Sequence, residues 1–171
     1  HLSKSDVAIA GGKGASLGEM TRAGISVPPG FVVLADAFEH FIQKTEIAAD
    51  IDAILHKVKH EDINSVEKAS EEIKAIILST EIPKDIEKEI FQAYKKLNAK
   101  WVAVRSSATS EDSSTAAWAG QLDSFLNTPE SQLLEKVKHC WASLFTPRAI
   151  FYRFEKNLHD EKISVAVVVQ K

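Results

Sequence analysis

Two stretches of this chain combine residue types and spacing that could hold an anion. In the first, Gly11, Gly12, Lys13 and Gly14 stand directly before ASLGEMTRA, a run of good helix formers. Glycines there let backbone N–H groups approach a ligand closely, and a helix opening at that point adds about half a positive charge to the full one on Lys13. Phosphate is the ligand such a loop suits. In the second, the apolar residues Trp101–Val104 end at Arg105, and the hydroxyls of Ser106, Ser107, Thr109 and Ser110 follow. That order places a cation at the tip of a short strand, with a small, polar loop running on toward Gly120. At about 14 residues the loop is long for a simple connection, and its composition suits a lid.

Neither stretch matches a standard phosphate motif. GGKGASLG lacks the spacing G-x-x-x-x-G-K-[ST], and Gly12, Gly14 and Gly18 are one residue too far apart for the dinucleotide fingerprint. Taken alone, a glycine turn with a solvated lysine explains the first stretch equally well. Other candidates are weaker. His56 and His60 lie four apart, but no carboxylate or cysteine spacing completes a metal site. Arg148 and Arg153 lie five apart and do not share a helix face. Cys140, the single cysteine, reads as a reduced, partly buried thiol.

The elements that must position these residues follow from periodicity. Phe31–Leu34 predicts a short strand after the Pro28–Pro29–Gly30 turn, followed by a helix from Asp36, as N-cap, to Lys44. Residues 45–100 contain no glycine. Their apolar residues recur at helical spacing: Ile47, Ile51, Ile54 and Val58, then Val66, Ala69, Ile73 and Ile77, then Ile86, Ile90, Tyr94 and Leu97. Three amphipathic helices are expected there, the third with Pro83 in its first turn. Two more are expected over 129–144 and 147–158. Ile163–Val169 is almost continuously β-branched, the pattern of a strand buried on both faces, with Gln170 at its end. The organisation this gives is α+β, with a glycine-loop part (1–44), a helical insert (45–100) and a strand-loop-strand part with helices (101–171).

With 171 residues, 44% hydrophobic and 26% charged, the chain can bury one sizeable core. The net charge of −3 is mixed along the sequence, so there is no footprint for nucleic acid or an anionic membrane. No apolar run reaches the roughly 20 residues that span a bilayer, and no signal pattern opens the chain. A cytoplasmic protein is expected. The first residue, His1, and the strand-like end ISVAVVVQK suggest a piece of a longer chain.

Five ordered motifs, GGKGASLGEM, VPPGF, AVRSSATSED, AWAGQLDSFLN and CWASLFTPRAIFYR, together resemble the nucleotide-binding domain of the phosphoenolpyruvate synthase and pyruvate phosphate dikinase family. Rifampicin phosphotransferases are similar over the same region. The resemblance implies the first lobe of an ATP-grasp fold, in which ATP lies between two lobes and a separate swivelling domain carries a histidine that accepts a phosphoryl group. Matched motif by motif, it implies that Lys13 and Arg105 hold phosphates, that Gly120 and Gln121 of the AGQ loop cover them, and that Ser124, Arg148 and Gln170 belong to the same nucleotide site. Ser124 stands where relatives usually have threonine, Trp118 replaces a phenylalanine before AGQ, and SSTAA replaces a proline-containing turn. Mg²⁺ is implied too, with its ligands in the second lobe beyond Lys171, as is the catalytic histidine further on. The expected activity is an ATP-dependent phosphotransferase, with pyruvate as acceptor in the synthase reading and an antibiotic in the alternative. A third reading is a nucleotide-binding module without chemistry. The stretch alone is expected to lack turnover.

Overall fold

The computed structural model describes residues 2–109, 123–155, 157 and 164–171. It is an α+β domain built on a four-stranded, fully antiparallel sheet in the order β1-β4-β2-β3, where β1 is Gly30–Val33, β2 Val102–Ala108, β3 Ser124–Thr128 and β4 Val165–Gln170. Helix α1 (Val7–Arg22) lies against β4 and β2. The other helices are α2 (Ala35–Lys44), α3 (Ile47–His56), α4 (Ile63–Ser79), α5 (Lys84–Leu97), α6 (Leu133–Ala142) and α7 (Pro147–Glu155). Short 3₁₀ turns precede α1 and flank α6.

Alternation along the strands explains the layers. Val33, Val102, Val104, Val165, Val167 and Val169 point to one face and join a single core with Phe41, Ile73, Ile77, Leu133, Val137 and Trp141. Trp141 is fully buried and stacks on Phe41 at 4.9 Å. Helices α3, α4 and α5 contribute Ile51, Ile73 and Ile90 to this same core. Ala166 and Val168, on the opposite face of β4, are buried as well. The β-branched run therefore occupies the middle of the sheet, covered on both sides.

Several elements begin or end elsewhere than periodicity predicts. Arg105 is not at a strand tip: β2 continues through the hydroxyl residues to Ala108, because β4 pairs with it as far as Ala108, while β3 pairs with it only as far as Arg105. Gly11–Gly14 is not a loop either. Helical structure runs through it with one break at Gly11 (φ 69°, ψ 168°), a conformation open to glycine alone. The helix then stops at Gly24 (φ 78°). There Gly24 N–H donates to the Thr21 carbonyl (3.2 Å) and Ile25 N–H to that of Met20 (3.0 Å), the two bonds of a Schellman stop. Leu34 rather than Asp36 caps α2, leaving Asp36 in the first turn, where its charge suits the helix dipole. Pro83 is the N-cap of α5 and not its first helical residue. Cys140 is buried completely, and burial pushes its thiol up to about 12.

Candidate functional site

On the sheet face opposite the main core, antiparallel pairing places Arg105 directly across from Ser124 on β3 and from Val168 on β4. Directly paired residues project to the same side. Gln170, two positions beyond Val168, pairs with Ala103 and Gly30 and so lies on this face too. Its amide nitrogen stands 3.5 Å from the Pro28 carbonyl. Arg105 and Ser124 are exposed.

Lys13 joins them from α1. Its Nζ donates to the Ser106 carbonyl at 3.0 Å, and its backbone N–H donates to Ser107 Oγ at 3.1 Å. Burial, and then the nearby Arg105 charge, lower the pKa of its ammonium from the ordinary lysine value. Among the described residues neither Lys13 nor Arg105 has a carboxylate within ion-pair distance. Two cations on neighbouring elements without a counter-charge repel each other, and an anion between them removes that repulsion.

The glycine segment acts differently from the expectation of a bare N–H cradle. The N–H groups of Lys13 and Gly14 already meet Ser107 Oγ, at 3.1 and 3.4 Å. The hydroxyl run, read from sequence as a loop reaching for ligand, ties elements together instead. Ser106 Oγ donates to the Asp123 carbonyl (3.1 Å), at the start of β3. Thr109 donates to the Ser164 carbonyl (2.9 Å), and Ser164 in turn to that of Ala35 (3.1 Å). Only pairing across the fold reveals these roles, so periodicity carried no signal for them.

Arg148 stands apart from this group. It is exposed on α7, which packs chiefly against α4, and no hydrogen bond or ion pair joins it to Lys13 or Arg105 among the described residues. Gly120, Gln121 and the expected lid from residue 110 onward lie outside the described residues. Beside Gln170 and Val168 a groove of about 770 Å³ runs between α1, the Pro28–Gly30 turn and α5, lined mainly by apolar residues such as Leu17, Pro28, Val32 and Leu97. Among the described residues there is no group of three or more His, Cys, Asp or Glu that could hold a metal, and no helix long and apolar enough to cross a membrane. Lys13 and Arg105 themselves suit an anion and oppose a cation.

Residues 7–171 match the family model for the pyruvate phosphate dikinase AMP/ATP-binding domain, and the chain belongs to that family. It is 48% identical over its whole length to a probable phosphoenolpyruvate synthase of Methanothermobacter thermautotrophicus and covers 26% of that protein. It is 52% identical, over 99% of its length, to the one of Archaeoglobus fulgidus, covering 23% of it. Over its full length it is 37% identical to the phosphoenolpyruvate synthase of Pyrococcus furiosus, of which it covers 26%. The chain thus spans about a quarter of the length of these curated relatives.

Proposed function

We propose that this domain binds ATP as the first lobe of an ATP-grasp site, with Lys13 and Arg105 on the phosphates and Ser124 beside them. Gln170 and the groove next to it take the nucleoside end. The observation that carries this reading is the pair of cations, on α1 and β2, without a carboxylate partner among the described residues. Gly120 and Gln121 would close over the phosphates, and Arg148 would reach the site from α7. Mg²⁺, held by residues outside this stretch, would neutralise phosphate charge during transfer.

The full-length protein, in this reading, is a phosphoenolpyruvate synthase of the cell interior. It converts ATP, pyruvate and water to phosphoenolpyruvate, AMP and phosphate through a phosphohistidine on another of its domains. The synthase names of the relatives favour pyruvate over an antibiotic as acceptor. What this chain contributes is position and charge: phosphoryl transfer needs the phosphates held in line and their developing charge met by fixed cations, with no covalent step at this lobe.

The test is ATP binding by calorimetry, in the full-length protein, of Lys13→Ala and Arg105→Ala. Each is expected to lose about 1–3 kcal/mol, the value of a charge-assisted contact, and to lose pyruvate-dependent AMP formation with it. Unchanged ATP affinity in both variants would overturn the assignment.

A further inference from the structure

We infer that Ser107 is a positioning residue for the phosphate site, fixing Lys13 relative to Arg105; this rests on the nucleotide reading given above. The helical run after Gly11 needs an acceptor for its first N–H groups. The residues before it, Ala10, Gly11 and Gly12, have no side chain that could cap it. The acceptor comes instead from 94 positions away along the chain. Ser107 Oγ receives the Lys13 N–H at 3.1 Å and the Gly14 N–H at 3.4 Å.

Two further observations make this contact specific. Gly11 is in contact with Ser107 so closely that a Cβ there would collide with both the hydroxyl and the carbonyl of Ser107. The side chain of Lys13 is bound by the neighbouring residue, through the Ser106 carbonyl at 3.0 Å. Backbone and amine of Lys13 are therefore held by two successive residues of β2, immediately after Arg105. Ser107 is fully buried, so its effect on ligand must pass through Lys13. Its removal leaves two helix-terminal donors without their acceptor and lets the Gly11 break relax, moving one cation relative to the other.

The experiment is a double-mutant cycle in the full-length protein, reading ATP and adenosine affinities by calorimetry. Ser107→Ala is expected to weaken ATP about fivefold, the worth of roughly one hydrogen bond, and to change adenosine, which has no phosphates, by less than about twofold. In the Lys13→Ala background the same substitution is expected to add almost nothing. Equal losses for ATP and adenosine would mean general damage to the domain and overturn the inference, as would an undiminished effect without the Lys13 side chain. Should Ser107→Ala fail to fold, Ser107→Cys keeps the shape with a far weaker acceptor and is read against the same outcomes. Failure of the nucleotide reading looks different: Lys13→Ala alone would leave ATP affinity unchanged, and the role given to Ser107 would fall with it.

Discussion

The two faces of the same sheet follow opposite rules. On one, six valines from β1, β2 and β4 enter a continuous core with Phe41 and Trp141. On the other, Arg105 and Ser124 are exposed, and Lys13 reaches in from α1 to a backbone carbonyl. Strand β2 supplies both, Val102 and Val104 to the first and Arg105 and Ser107 to the second. The difference teaches where stability and function separate. The closed face contributes hydrophobic burial, whereas the other face keeps two like charges together at some cost to the fold, a cost that in the proposed reading is offset when a ligand binds.

Substitutions on the two faces should therefore fail in different ways. Trp141→Ala empties the centre of the closed face and is expected to lower stability by about 3–5 kcal/mol in urea denaturation. ATP affinity of the molecules that remain folded should be unaltered, and a matching loss of affinity would blur the division between faces. Gly11→Ala sits between the faces. Its left-handed backbone and its contact with Ser107 predict a loss of about 2 kcal/mol or more, together with weaker ATP binding. A stable variant with unchanged affinity would show that the break in α1 is dispensable.

The smallest effect concerns Lys13 and pH. Its pKa is lowered in the folded state, so between that value and the ordinary 10.5 the unfolded chain binds more protons and stability rises with pH. Lys13→Met removes this dependence and should be as stable as the parent at pH 7, or slightly more so. ATP affinity runs the other way. It falls as alkaline pH removes the ammonium proton, and the fall disappears in Lys13→Met. Marked destabilisation of Lys13→Met would mean that the amine serves the fold and not a ligand.

Much of this was legible in the sequence. Helical spacing over 45–100 finds α3, α4 and α5, because an apolar stripe of period 3.6 reports which face meets the core wherever the partner lies. The β-branched run finds β4 for a related reason, since a strand covered on both sides can hold apolar residues at successive positions, as from Val165 to Val169. Charge and glycine context single out Lys13 and Arg105 as separate anion candidates, and only the family resemblance implies a shared phosphate role; the fold brings Lys13 to the carbonyl of Ser106, beside Arg105. Contacts far apart in sequence were not legible. Ser106, Ser107 and Thr109 look like loop hydroxyls until β3, α1 and Ser164 are in place around them. The length of β2 is illegible for the same reason: its polar residues Ser106 and Ser107 stay in the strand because β4, distant in sequence, pairs with them.

The place of β4 has a consequence for the order of synthesis. It is the last of the four described strands in sequence, yet it lies between β1 and β2, pairing with both. As the chain emerges from the ribosome, β1 must wait for about 130 residues of synthesis before β4, its sheet neighbour among the described residues, appears. The helices between can form early from local contacts. β2 and β3 can pair before that, but the link between β1 and the rest of the four-stranded sheet can form only when β4 is clear of the exit tunnel.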